Sequence, residues 1–316
     1  MDTNTLYPER LLAHHDPAHC LARGLFVSLP RGQRNRQPLH VIYDYNESER
    51  LEFHGAYQLG SDDLKVLVAL VAMATSRDDR RWEVQPQPDT DLGQLIRQRM
   101  GLDQNDDDSP AIVAIQTTFY ELAQLVGYPQ YSGTVQKRLR ESLERLIMVN
   151  VIAHHHGQRY RSLIISDYLT EEHSRRIIVG LNLRISEAIA HKRPYTSLAI
   201  RDLHQLSSDA AVILWQHLSG WIDPGTSRRV RLATLTDYVF DQEHHHVLSR
   251  QTAWKRRKTI LNALGELHRL NWVVTQVSVV PQDNPLFEIC RSRSEPAEKN
   301  AEAQTVLTVD KNSTNG

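Results

Sequence analysis

Five cations fall within nine residues in RQTAWKRRK (250–258): Arg250, Lys255, Arg256, Arg257 and Lys258. Such groups neutralise phosphates, and arginine also pairs with a guanine edge while glutamine pairs with an adenine edge. Gln251 and Thr252, inside the same run, are weaker candidates for base reading. A second run, TVQKRLR (134–140), supplies Thr134, Gln136, Lys137, Arg138 and Arg140. Arg159 and Arg161 stand at a turn a short distance on. A solvated basic helix face is the competing account of either run taken alone.

Three other groupings hold residue types that do chemistry. NVIAHHHGQRY (150–160) brings His154, His155 and His156 near Tyr160, the ingredients of a metal-assisted tyrosine nick of DNA. The middle residue is His155 rather than a bulky apolar one, and Tyr160 falls in a hairpin rather than on a helix, so nicking is the weaker reading. EHHHV (243–247) could offer neutral imidazoles to a metal, but without CxxC or HExxH it reads as polar loop. His15, Asp16, His19 and Cys20 include nucleophile and base types, yet no second component is identifiable, and Asp16-Pro17 reads as a structural turn. No GxxxxGK[ST] occurs, so ATP hydrolysis is not expected. No catalytic residue, metal ligand or cofactor is expected.

Helices must position the two basic runs. On 250–270, Ala253, Ile260, Leu264 and Leu267 share one side, with the cations crowded into the first half. On 134–147, Val135, Leu139, Leu143, Leu146 and Ile147 form the apolar stripe, and the cations point away from it. A cationic start anchored by an apolar end suits insertion into a major groove. Each basic helix follows a shorter one, TTFYELAQLVGY (117–128) or RLATLTDYVF (231–240), and leads into a strand, a turn and a return strand. The first tip is basic; the second, PQDN (281–284), is not. The shared order with little identity points to structural duplication.

Further helices are expected at 61–74, with Ser61 as cap, and over SSDAAVILWQHLSGWI (207–222), with Ser208 as cap. Trp215 and Trp221 on the latter read as core rather than as stacking platforms. HVIYDYNESERLEF (40–53) reads as strand, turn, strand. The organisation expected is a lead-in over 1–35, a first winged-helix domain over 36–180 with an acidic loop at about 76–111, a second winged-helix domain over 181–293, and a disordered tail over 294–316. A short helix at DLGQLIRQRM (91–100) is allowed within the loop. The fold class is α+β.

The 316 residues carry a net charge of −1, so acidic segments offset the basic runs and composition alone gives no sign of a nucleic-acid partner. No apolar stretch of about 18 residues could span a bilayer, and no signal-peptide core is visible. Cys20 and Cys290 form no CxxC. A cytoplasmic protein with free thiols is expected.

Several stretches resemble the RepC-type replication initiators of IncQ plasmids: HDPAHCLARGLF (15–26), VIYDYNESERLEFHG (41–55), LGSDDLKVLVALVAMA (59–74), LHQLSSDAAVILWQHLSGWIDPG (203–225), TLTDYVF (234–240) and KRRKTILNALGELHRLNWVVT (255–275). The sequence departs from that family at Arg23, where the motif has Pro. The resemblance implies tandem winged helices without a catalytic centre. It also implies binding to double-stranded origin DNA at direct repeats (iterons), melting of a neighbouring AT-rich region, and recruitment of a plasmid-encoded helicase and primase. A monomer would then suffice on a non-palindromic repeat. The alternatives are a winged-helix transcriptional regulator, which would bind palindromes as a dimer, and the nicking enzyme using Tyr160.

Overall fold

The computed structural model describes residues 11–29, 37–76, 79–102, 110–155, 157–166, 169–170, 176–240, 249–270, 272–278 and 284–292. The chain enters through β1 (Leu12–His15) and the short helix α1 (Pro17–Leu21). Asp16 caps α1 by accepting the Ala18 amide, and proline stands in the first turn. Within the lead-in, the described residues 11–29 carry a strand and a helix packed into the core. Ala13, His15, Asp16, Ala18, His19 and Cys20 are all buried, because distant elements of the second half cover them.

A hairpin follows, β2 (Leu39–Asp44) and β3 (Glu49–Gly55), turned at Asn46, whose side chain accepts the Ser48 amide. The next helix, α2 (Ser61–Thr75), buries twelve of its fifteen residues, as its all-round apolar sequence requires of a central helix. Its cap is Gly60 rather than Ser61. The Asp63 carboxylate accepts the Gly60 amide, and the Ser61 hydroxyl bonds Asp209 instead.

Within 76–111 the described residues are not all loop. They hold β4 (Arg81–Val84) and α3 (Asp91–Met100), the latter capped by Thr90 and stopped by Gly101 at φ 73°. Asp106, Asp107 and Asp108 lie outside the described residues. Then come β5 (Ile112–Thr118), α4 (Phe119–Val126), α5 (Gly133–Ile147), β6 (Asn150–His155), β7 (Gln158–Leu163), β8 (Leu169–Thr170), β9 (Arg176–Gly180) and α6 (Leu183–Ile189). The second half runs β10 (Thr196–Ala199), α7 (Ile200–Gln205), α8 (Asp209–Trp221), β11 (Ser227–Arg231), α9 (Leu232–Val239), α10 (Arg250–His268), β12 (Trp272–Ser278) and β13 (Leu286–Arg291).

Among the described residues the strands form four sheets: β1-β10, β2-β3-β6-β7, β4-β5-β9-β8 and β11-β13-β12. All pairings between these strands are antiparallel. The hairpin after α10 is thus closed by the strand that precedes α9. The hairpin after α5 is instead extended by β2-β3, and β5, the strand preceding α4, joins a different sheet.

α8 buries ten consecutive residues, Ala210 to Ser219, with Trp215 among them; Trp221 packs half-buried at its end. α2 and α8 touch each other, and one buried cluster runs through both halves of the chain. A smaller cluster, including Val84, Ile96, Met100 and Ile112, lies under α3. Among the described residues no helix is long and apolar enough to cross a membrane. The tail 294–316 lies outside the described residues.

Candidate nucleic-acid interface

α5 is started by Ser132, which accepts the Val135 amide. Val135, Leu139, Leu143 and Leu146 are buried, as their spacing requires. Thr134, Lys137, Arg138 and Arg140 are exposed and Gln136 is half-buried. Lys137 reaches Glu141 at 4.0 Å, one turn on, and the Arg140 guanidinium lies 5.6 Å from the centre of the Phe119 ring on α4. On β7, Arg159 and Arg161 are both exposed, and Arg161 holds Asn150 Oδ1 through Nη2 and Nε at 2.7 and 3.0 Å.

α10 is built in two halves. Ser249 caps it, accepting the Thr252 amide, and the two side-chain hydroxyls lie 2.9 Å apart. No residue from 250 to 259 is buried, whereas Ile260, Ala263, Leu264, Glu266 and Leu267 are. The cationic half therefore projects and the apolar half anchors it. Ala253 is corrected by this: it lies on the core side by angle, but the core ends before reaching it, and it is exposed. Arg250, Gln251, Lys255 and Lys258 are exposed; Thr252, Arg256 and Arg257 are half-buried. Arg256 lies over the Phe240 ring at 4.8 Å, which joins it to the end of α9.

Two buried polar contacts that sequence reading missed fix these helices. On α5, Arg145 reaches back to α2, with Nη2 2.7 Å from the fully buried Asp63 and 3.3 Å from Asp62. On α10, Glu266 Oε2 accepts the Ser207 amide at 2.7 Å, the Ser207 hydroxyl at 2.9 Å and the Ser208 amide at 3.3 Å, ahead of α8. Burial pushes the Glu266 carboxyl up, but the Ser208 and Ser207 donors outweigh it and hold its pKa below the ordinary value. Each basic helix is thus tied at its anchored end to a central helix, by charges of opposite sign. In sequence, a single Arg and a single Glu at inward-facing positions are the only signals. Arg228, Arg229 and Arg231 on β11 are exposed and were also missed; Arg229 faces Glu288 at 3.4 Å.

The remaining groupings fall elsewhere. In the β6–β7 register His154 stands opposite Arg159 and Ala153 opposite Tyr160, so His154 and Tyr160 occupy opposite faces of the hairpin. His154 Nε2 lies 3.1 Å from Glu52. Among the described residues no group of three or more His, Cys, Asp or Glu side chains is placed to hold a metal. His156 and the histidines of 243–247 lie outside the described residues.

Asp16 belongs to a buried ion-pair chain. Arg184 Nε is 2.7 Å from Asp16, Arg184 Nη1 is 3.2 Å from Glu49, and Arg193 reaches Glu49 at 3.1 Å and Glu187 at 3.0 Å. Burial drives the Cys20 thiol far up, which makes it a poor nucleophile.

The pattern of the replication protein C (RepC) family matches residues 9–293 of this sequence. The chain belongs to the RepC family. This bears out the resemblance read from HDPAHC, GWIDPG and the stretches around them. Among solved structures, domains 2 and 3 of RctB align with a TM-score of 0.54 at 12% identity, covering 88% of this chain and 99% of that one. The Pi initiator protein in complex with iteron DNA aligns with a TM-score of 0.51 at 12% identity, covering 90% and 97%. At such identity the likeness is one of fold: an α+β arrangement shared with these two proteins. No curated relative matches in sequence.

Proposed function

We propose that this RepC-family protein initiates plasmid replication by binding direct repeats in origin DNA through two winged-helix modules, 36–180 and 181–293. α5 and α10 are the recognition helices in this reading. The observation that carries it is the projecting cationic half of α10, Arg250 to Thr259, with none of its residues buried, followed by a hairpin. The order α8, β11, α9, α10, β12, β13, with β11 closing the hairpin sheet, supports a winged helix in the second half. The first half has the same helices and hairpin with a rewired sheet. The fold likeness to Pi, solved with iteron DNA, supports the same DNA class here.

The protein acts without a catalytic centre or cofactor, in the cytoplasm. It binds one repeat as a monomer, promotes melting nearby, and brings in a plasmid-encoded helicase and primase; these partners follow from the family resemblance. The test is binding to labelled duplex carrying one origin repeat and to a shuffled duplex of equal length, across a salt series. Preference for the repeat by several kcal/mol is expected, with log K falling by about 0.9 per neutralised phosphate against log salt. Equal binding to both duplexes, or none, would overturn the proposal.

A further inference from the structure

Trp254 is 59% exposed. It is the largest side-chain type, and it stands in the half of α10 that contributes nothing to the core. Its surroundings on the helix are cationic and polar: Arg250 one turn before, Lys258 one turn after, and Lys255 beside it, all exposed. The Lys258 ammonium lies 5.3 Å from the centre of the indole ring, so the charge and the ring are presented together. Leu261, a further turn along the same face, is also exposed at 37%. An apolar strip inside a cationic helix face matches a surface that is anionic at its rim and apolar at its floor. A major groove has that character wherever thymines place their 5-methyl groups between the phosphates.

We propose that Trp254 is a specificity-determining residue that packs against thymine 5-methyl groups in the major groove of the repeat. The inference rests on α10 being a recognition helix. Lys258 and Lys255 take the flanking phosphates, and the ring distinguishes T·A pairs from the others at its position. Nothing in the fold depends on the ring, so Trp254→Ala leaves the protein folded; alanine is also the better helix former there.

The experiment is a cycle of two proteins and two duplexes: wild type and Trp254→Ala, each on the origin repeat and on the same repeat with uracil in place of thymine. Uracil removes only the methyl groups. Wild type is expected to bind the uracil duplex about four-fold more weakly for each methyl group the ring covers. The variant is expected to bind both duplexes alike. A thymine preference kept in full by the variant, or absent from wild type, would overturn the proposal while leaving repeat binding intact. Failure of wild type to bind the thymine-containing repeat at all would instead defeat the recognition-helix reading on which it rests. Far-ultraviolet circular dichroism of the variant, unchanged from wild type, confirms that it remains folded.

Discussion

Arg184 is 7% exposed and sits between two carboxylates, Asp16 and Glu49, from separate parts of the chain. Replacing it by Met leaves Asp16 buried without its guanidinium and leaves Glu49 with Arg193 alone. Such a loss costs about 3–5 kcal/mol, read as a lowered urea midpoint; an unchanged midpoint would show that the pair is dispensable. Two histidines also weaken the fold on acidification. Burial holds His19 and His217 down to a pKa of about 3, and His217 packs on Tyr238 with ring centres 3.8 Å apart. Both are neutral in the fold at pH 7, so the positive partner of Asp16 there is Arg184. The unfolded chain binds their protons near pH 6.5 and the folded chain does not until about 3. Stability is therefore full above 6.5 and falls as pH drops towards 3, by about 2 kcal/mol per histidine at pH 5. Asp16 and Glu49, held below their ordinary values, lose their contributions in the same direction at lower pH still. His217→Phe should flatten the fall between pH 7 and 5 by one histidine's share, measured as urea midpoints; an unchanged slope would contradict this.

Among the elements, α10 has two ends with separate energetics. Ser249→Ala removes a cap worth about 1 kcal/mol from a half that buries nothing. It should speed hydrogen exchange over 250–259 and weaken DNA binding, yet leave the global unfolding midpoint in place. A fall in that midpoint would show that the projecting half is part of the core. The basic helices were legible in the sequence because period and charge are both local: Val135, Leu139 and Leu143 mark one, and Ile260, Leu264 and Leu267 the other. Caps such as Ser208 were legible for the same reason. What escaped depends on distant partners. SRRVR (227–231) has no strand pattern, and becomes one by pairing with β13. The segment at 12–15 is ordered by β10, nearly two hundred residues away. Ala253 was misplaced because periodicity gives the angle of a side chain and says nothing of where the core stops. Arg256 has the charge of a phosphate contact, but the place of Phe240, which stacks with it, cannot be read from spacing.

For the whole molecule, the continuous core decides how the two basic helices act. α2 and α8 are packed together, Ser61 bonds Asp209 between them, and each carries one basic helix through Arg145–Asp63 or Glu266–Ser207. The helices are thus held in a fixed relation rather than on a loose linker, and recognition of a repeat would be all-or-none in its spacing. The net charge of −1 then fits a protein whose cations are concentrated on the two proposed recognition helices and offset elsewhere. Hydroxyl-radical footprinting of one origin repeat tests the central claim most directly. Two protected patches on one face of the duplex, about one helical turn or 34 Å apart, are the expected result. One should be lost when Lys137, Arg138 and Arg140 are replaced by alanine, and the other when Lys255, Arg257 and Lys258 are. A single patch, or two patches that respond together to either set of replacements, would contradict recognition by two separate helices.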